Sequence, residues 1–183
     1  MLDLNTLRNR AYQNACDHGF HDRELSDNYC FMLVITELSE AVEADRKGRR
    51  ADKAEFELVV SSNSDHMSEA FVDAFERLVK DTVEDELADT VIRMLDMAGL
   101  RGINLNGIFI VAYIVSRKKS FTENCYAIIK DIVNYKYTTE ECLNYAIRQV
   151  FELAEFYDMD LEWHIEQKMK YNEHRGKMHG KKY

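Results

Sequence analysis

Apolar residues recur every three or four positions along most of this chain, which is the spacing of helices that bury one face. The chain contains no proline and only seven glycines, whereas a β-rich fold needs many turn residues. The pattern therefore predicts an all-α fold in which residues 1–183 form a single domain. Helices are expected at residues 2–18, 27–47, 66–100, 108–115, 125–133 and 160–175, with a short helical piece within 49–64 and another helix beginning near 138.

Capping residues indicate where some of these helices begin and end. Ser26 or Asp27 is a suitable N-cap for the second helix, because a short side-chain oxygen accepts a hydrogen bond from a free backbone N–H of the first turn. Gly48 follows that helix, as expected for a glycine at a helix C-terminus. Thr138 and Glu141 have the spacing of a capping box, which predicts another helix start.

Two pairs of acidic residues lie three positions apart on the predicted helices. Glu37 and Glu40 belong to the second helix, and Glu86 and Asp89 to the single long helix expected over residues 66–100. Residues at i and i+3 share a helix face, so packing the two helices together would direct four carboxylates into one sheltered cleft. The adjoining apolar stripes are Phe31, Ile35, Leu38 and Val42 in one helix, and Val83, Leu87, Val91, Met94 and Ala98 in the other.

Four like charges in one cleft are unfavourable unless a cation lies among them. Carboxylate oxygens suit a hard divalent ion, and Mg²⁺ usually shares its remaining positions with water and phosphate oxygens. A single acidic pair has little weight, because such pairs are common on the solvated faces of helices. From the residues alone, the two pairs indicate either a metal site or two acidic surfaces.

The sequence around these pairs resembles the MazG-like all-α nucleoside triphosphate pyrophosphohydrolases. The similarity covers the run TELSEAVEA, the run EDELADTVIR and the terminal segment KMKYNEHR followed by HGKKY, in the order of the family's E-x-x-E, E-x-x-D and terminal motifs. The resemblance implies a four-helix-bundle core and hydrolysis of a ribo- or deoxyribonucleoside triphosphate to the monophosphate and pyrophosphate. It also implies Mg²⁺ as cofactor, with Mn²⁺ as an alternative, and a homo-oligomer, either a dimer or a tetramer.

The same resemblance assigns the acidic residues their roles. Glu37, Glu40, Glu86 and Asp89 are the expected metal ligands. Glu43 has the same spacing from Glu40, so spacing alone leaves it open as a ligand, and it is the family pattern that favours Glu37 and Glu40. Glu40 and Glu37 are also the expected catalytic residues, with Glu40 as the acceptor of the proton from the attacking water. The family often has a further glutamate where this chain has Thr36, so a site of four carboxylates is expected rather than one of five.

Basic and amide residues near the C-terminus are the expected substrate ligands. The resemblance assigns this role to Lys168, Asn172 and Arg175. Lys168 and Asn172 share a helix face, and Lys and Arg side chains both suit a polyphosphate. Arg93 lies four residues after Asp89, a spacing that predicts an ordinary salt bridge within the long helix; the alternative is that Arg93 orients this metal-binding carboxylate.

Two segments have no counterpart in compact members of the family, namely residues 49–64 and a helical insertion at about 105–158. Residues 151–161 are similar to the run that ends the long helix, which suggests a partly duplicated helical unit. Cys142 and Tyr145 stand where the acids of the second motif would fall. The second copy is therefore expected to serve as scaffold.

The net charge, the cysteine spacing and the lengths of the apolar runs limit the partners and the cellular compartment that can be expected for this protein. The formal net charge of −9 argues against a nucleic-acid polymer, since binding to such a polymer relies on clustered Lys and Arg. The four cysteines form no C-x-x-C pair, which predicts free thiols in a reducing compartment. No signal peptide and no run of membrane-spanning length is present, so a cytoplasmic protein without membrane contact is expected.

Other functions are weaker interpretations of the same residues. Cys16, His18 and His21 lack an evident fourth ligand for zinc, so the two histidines are expected to be surface or loop residues. A ferritin-like di-iron site is not favoured, because it requires E-x-x-H motifs and the sequence has none. The principal alternative is a catalytically silent helical protein of the same fold that binds a nucleotide or another protein.

Overall fold

The computed structural model describes residues 3–62, 67–105 and 115–180, and within these residues the protein is all-α, as predicted. The helices are α1 (Leu4–Asp17), α2 (Asp27–Arg46), α3 (Lys53–Ser62), α4 (Met67–Leu78), α5 (Val83–Leu100), α6 (Phe121–Asn134), α7 (Thr139–Phe156) and α8 (Leu161–Glu173), followed by a short 3₁₀ helix (Lys177–Gly180). The helix predicted at 108–115 lies outside the described residues. None of the described helices has the length and apolar content that crossing a lipid bilayer requires.

α5 is the central helix of the fold, because it packs against α1, α2, α7 and α8. Its side chains Leu87, Val91 and Met94 are fully buried. α6 packs on both α2 and α7, and Ile128 of α6 belongs to the same apolar core. The helices in the predicted insertion at 105–158 thus share one core with the helices that carry the acidic motifs.

A smaller apolar cluster lies beneath α3 and α4. Phe56 of α3 meets Phe71 of α4 edge to face, with 5.6 Å between ring centroids. Phe75 of α4 stacks on Tyr171 of α8 with a centroid separation of 4.4 Å. The cluster is therefore attached to the rest of the molecule chiefly through α8.

The predicted caps of α2 and α7 are confirmed. Ser26 is the N-cap of α2, where its hydroxyl accepts a hydrogen bond from the Tyr29 N–H at 3.3 Å. Gly48 follows α2 with a φ of +66°, a left-handed conformation that glycine adopts without steric cost. Thr138 and Glu141 form the predicted capping box at the start of α7.

The prediction of one continuous helix over residues 66–100 is wrong, because a turn separates α4 from α5. Asp81 in that turn has a φ of +60°, which a right-handed helix excludes. Thr82 then caps α5. Its hydroxyl accepts a hydrogen bond from the Asp85 N–H at 3.3 Å and donates one to the Val79 carbonyl at 2.6 Å. Val79 is fully buried, so the apolar pattern continues through the turn and hides the break.

The buried face of α2 is rotated slightly from the predicted stripe. Leu38 is fully buried as expected, but its fully buried neighbours are Val34 and Ala41. Phe31 and Val42 pack at the edge of the core. The predicted stripe is displaced by one position because α2 also buries small residues such as Ala41. Small residues contribute little to a pattern built on large apolar side chains.

The ends of α7 repeat the ends of α5. Both helices have 18 residues and a threonine N-cap, Thr82 in one and Thr138 in the other. Each chain segment then turns through a left-handed residue two positions beyond the helix, Gly102 with a φ of +64° and Asp158 with a φ of +58°. The similarity noted in the sequence thus extends to the local structure, and Cys142 of α7 is buried in the core.

α1 and α5 approach each other closely at Gly99. A methyl group at that position would overlap Cβ of Tyr12 and lie 2.8 Å from Cγ of the same residue. Real side chains essentially never come so close, so only a hydrogen atom fits between the two helices here. This contact fixes the position of α1 on the central helix.

Candidate metal centre

Three of the four predicted metal ligands converge where α2 packs against α5. Glu37, Glu40 and Glu86 each place a carboxylate oxygen within 4.8 Å of the others. Glu37 and Glu86 are buried, whereas Glu40 is exposed. The group, which we call the carboxylate site, therefore lies at the boundary between the core and solvent.

The electrostatics of this site are unfavourable for the charged form of Glu86. Burial raises the pKa of Glu86 to about 9, and the charges of Asp89 and Asp85 act in the same direction, while Lys168 opposes them. At neutral pH, Glu86 therefore retains its proton when no cation is beside it. A divalent cation at this position would favour the carboxylate form instead.

Arg93 holds Glu37 from the neighbouring helix. Its Nε donates a hydrogen bond to Oε1 of Glu37 at 2.9 Å. The charges of Glu37 and Asp89 raise the pKa of Arg93, although burial alone lowers it. Arg93 had been expected to pair with Asp89 within α5, so the contact to α2 is a finding that spacing along one helix does not predict.

Asp89 lies outside the carboxylate site and pairs with Lys168 of α8. The Nζ of Lys168 is 2.9 Å from Oδ2 of Asp89 and 2.8 Å from Oδ2 of Asp85. Asp85 and Lys168 are both buried. Burial raises the pKa of Asp85 to about 6 despite the lysine. Burial alone lowers the pKa of Lys168, but Asp89 and Asp85 outweigh it and raise that pKa above its ordinary value.

Asn172 and Arg175, the other two predicted substrate ligands, line a cleft between α1, α5 and α8. Asp89 and Arg93 line the same cleft, which we call the polar cleft. Asn172 is buried, and its Oδ1 has no hydrogen-bond partner among the described residues. Its position fits an acceptor for a ligand, as expected for a substrate-binding residue.

A second cleft adjoins the first, and its walls are mainly apolar. Leu25, Tyr29 and Leu33 lie along this apolar cleft, as do Met97 and Glu37. Because Glu37 belongs to the carboxylate site, the apolar cleft reaches that site directly. The charged residues Arg23, Arg93 and Asp96 also line the cleft, so a ligand there would meet both apolar and charged side chains.

Phe20, Arg93 and Asp96 line both clefts and form the wall between them. His21 lies behind this wall, where its Nε2 is 2.7 Å from Oδ1 of Asp96 and its side chain is 8% exposed. His21 thus lies in the loop between α1 and α2, as predicted, although its side chain is largely buried rather than at the surface. The ring of His18 is also held by two contacts. Its Nδ1 lies 2.7 Å from the carbonyl oxygen of Asn14, and its Nε2 lies 2.8 Å from the carbonyl oxygen of Arg175.

The carboxylate site fits a hard divalent cation. Oxygens bound to one Mg²⁺ lie about 2.1 Å from the ion, so two of them are at most about 4.2 Å apart, and small rotations of the glutamate side chains close the difference. The raised pKa of Glu86 indicates a group that gains from a neighbouring cation. The three oxygen donors suit Mg²⁺ or Mn²⁺ rather than a metal that prefers sulfur or imidazole.

Comparisons of this chain with protein-family models, with curated proteins and with solved structures give no match.

The structure adds two acidic residues that the sequence did not single out. Asp85 lies beside the second motif and binds Lys168, and Asp96 lies two turns along α5 from Asp89 and binds His21. The only local signal for Asp85 was its position in the first turn of α5, where acids are common. Asp96 had no local signal, since its partner is on a loop far away in the sequence.

Proposed function

We propose that this protein is a Mg²⁺-dependent nucleoside triphosphate pyrophosphohydrolase, which converts a nucleoside triphosphate and water to the monophosphate and pyrophosphate. The observation that carries the proposal is the convergence of Glu37, Glu40 and Glu86 at one point. Glu37 also lines the apolar cleft, while Glu40 and Glu86 line an open cleft between α2 and the start of α5. The resemblance of the three motifs to the MazG-like family supports the choice of reaction.

The metal ligands in this proposal are Glu37, Glu40 and Glu86, with Asp89 at the edge of the site. Lys168 holds Asp89 there through the 2.9 Å contact. A bound Mg²⁺ would neutralise the substrate phosphates and lower the pKa of a coordinated water. Because the carboxylates are negative, the triphosphate requires such an ion before it can approach them.

Glu40 is suited to accept the proton of the attacking water, since it is the exposed member of the carboxylate site. The water oxygen forms a bond to phosphorus, the phosphoanhydride bond between the α- and β-phosphates breaks, and pyrophosphate leaves. Arg175 in the polar cleft would pair with phosphate oxygens. Lys168 is buried and its ammonium lies against Asp85 and Asp89, so its part in substrate binding would be to hold Asp89 at the edge of the polar cleft.

The test is the release of pyrophosphate and monophosphate from a panel of ribo- and deoxyribonucleoside triphosphates, with Mg²⁺, with Mn²⁺ and with a chelator. Glu40→Gln and Glu86→Gln should each lower kcat/KM by at least about 100-fold, a common effect of losing a group that acts in the transition state. Glu155→Gln is the matched control, because Glu155 is an exposed glutamate of α7 that lines none of the clefts around the carboxylate site.

A chelator-insensitive activity, or a Glu86→Gln variant as active as the parent, would contradict the proposal. Binding of nucleotide without turnover would instead favour the catalytically silent protein. Isothermal titration with a non-hydrolysable triphosphate and Mg²⁺ separates that outcome from a protein that binds no nucleotide.

A further inference from the structure

Two charged side chains of α5, those of Arg93 and Asp96, lie next to each other in the wall between the clefts. One atom of each side chain contacts a neighbouring side chain that holds it in place. Arg93 is fixed through its Nε by Glu37, and Asp96 is fixed through its Oδ1 by His21. Three positions separate the two residues, so they share one face of α5. The support of each side chain by a buried partner fixes its orientation before any ligand arrives.

Both side chains keep hydrogen-bonding capacity that the described residues do not use. Nη1 and Nη2 of Arg93 make no hydrogen bond within residues 3–62, 67–105 and 115–180, and the same holds for Oδ2 of Asp96. The guanidinium thus offers donors and the carboxylate offers an acceptor, next to each other in the same wall. Side-chain exposures of 20% for Arg93 and 18% for Asp96 show that a ligand can reach both groups.

The charge of Asp96 determines which part of a nucleotide fits against the wall. A carboxylate repels phosphate, so the phosphates belong at the carboxylate site and the metal rather than at Asp96. A neutral group with an N–H donor suits Asp96, and the apolar side chains of the cleft beside it, such as Leu25, Tyr29 and Leu33, suit an aromatic ring. Phe20 adds a ring at the wall, with the Arg93 guanidinium carbon 5.8 Å from its centroid.

We propose that Arg93 and Asp96 recognise the nucleobase in the apolar cleft, and that they select bases whose edge carries a carbonyl oxygen beside a ring N–H. This inference rests on the proposed function. Arg donates strongly to a carbonyl oxygen, and a carboxylate accepts most strongly from an acidic ring N–H. Guanine, hypoxanthine and uracil have that edge. Adenine and cytosine present an amino group beside a bare ring nitrogen, which pairs less well with both charges.

The experiment compares substrates that differ only at this edge, using the full chain with Mg²⁺. ITP against ATP tests a purine, and UTP against CTP tests a pyrimidine. In the parent protein, kcat/KM should be about 10- to 100-fold higher for ITP than for ATP and for UTP than for CTP, the scale of one good contact in base recognition. Asp96→Asn should bring both ratios to within about threefold, since an amide can present either a donor or an acceptor.

Asp158→Asn is the matched control. It is the same chemical change at a left-handed residue outside the clefts, where asparagine is well tolerated, and it should keep both ratios. If Asp96→Asn fails to melt cooperatively, Asp96→Glu replaces it. That variant retains the charge but moves the oxygens by one methylene, and it should reduce both ratios at least fivefold.

The outcomes separate this inference from the proposed function. Turnover with no difference between the paired substrates, or ratios that survive substitution of Asp96, would overturn the base assignment and leave the hydrolase intact. Absence of turnover of every triphosphate would overturn both. Equal loss of activity on all substrates in Asp96→Asn, with both ratios retained, would assign Asp96 a structural role only.

Discussion

At the scale of single residues, the protonation of Glu86 bears on stability and would also bear on the binding of a metal ion. Its pKa in the folded protein is about 9, compared with an ordinary value of 4.5, so the folded state holds this proton more tightly than the unfolded chain does. The stabilising effect is complete below about pH 4.5 and is lost as the pH rises towards 9. Without metal, the protein is therefore expected to become less stable over that range.

Glu86→Gln should remove much of this pH dependence, because an amide cannot lose a proton. In the presence of a chelator at pH 8, we expect the variant to be more stable than the parent by about 1–3 kcal/mol. Added Mg²⁺ should raise the melting temperature of the parent clearly and that of the variant much less. Thermal melts from pH 5 to 9, with and without Mg²⁺, check both statements. A variant with the same pH profile as the parent would show that Glu86 is not the group responsible.

Lys168 is the second residue with a large expected effect. Lys168→Met leaves Asp85 buried without its ammonium partner, so the folding free energy should fall by about 3–5 kcal/mol. Adding Asp85→Asn to that variant should recover part of the loss, because the buried charge is then removed. Urea unfolding measures these differences. Lys136→Met, at an exposed lysine, should change stability little, and a comparable loss there would contradict the explanation.

At the scale of elements, the start of α5 positions the second acidic motif. Thr82 caps this helix, and the turn before it places Asp85 and Glu86 in the first helical turn. The cap thus connects a local hydrogen bond to the geometry of the carboxylate site.

Thr82→Ala should therefore have two effects. The loss of the cap should cost about 1–2 kcal/mol of stability, and Mg²⁺ affinity should also fall because Glu86 is less well positioned. Thr138→Ala removes the equivalent cap of α7 and should cost a similar amount of stability without changing Mg²⁺ affinity. Denaturant unfolding and calorimetric Mg²⁺ titration of both variants test the distinction. Equal effects on Mg²⁺ affinity would show that the cap acts only through global stability.

Helices and their caps were predictable here because their signals are local. The cap at Ser26 and the capping box at Thr138 need only neighbouring residues. The turn at Asp81 was missed because buried apolar residues continue across it. The partners of Arg93 and Lys168 were missed for a different reason: each ion pair joins two helices, and spacing along one helix carries no information about the other.

At the scale of the whole molecule, the two apolar clusters differ in size and attachment. The main core joins α1, α2, α5, α6, α7 and α8, whereas the cluster under α3 and α4 contains few buried residues and meets the remainder through Tyr171. Elements with fewer buried contacts open at lower free energy than the core. The structure therefore predicts two levels of stability within one chain.

Amide hydrogen exchange under native conditions is expected to resolve these levels. Amides of α3 should exchange through local opening that requires less free energy than global unfolding, while the central amides of α5 should exchange only on global unfolding. Phe75→Ala, which removes a fully buried ring from the smaller cluster, should widen the difference. Equal protection of α3 and α5 would indicate that the molecule unfolds as one unit.

The absence of a side chain at Gly99 has a consequence for the clefts. At Gly99, α1 contacts the backbone of α5 directly. The short distance between the two helices there also determines the position of the loop after α1, which carries Phe20 and His21. A methyl group at Gly99 would push α1 away from α5. The loop that carries Phe20 and His21 would move with α1, and both clefts would become wider. The smallest residue in the chain thus sets the dimensions of the space into which a ligand must fit.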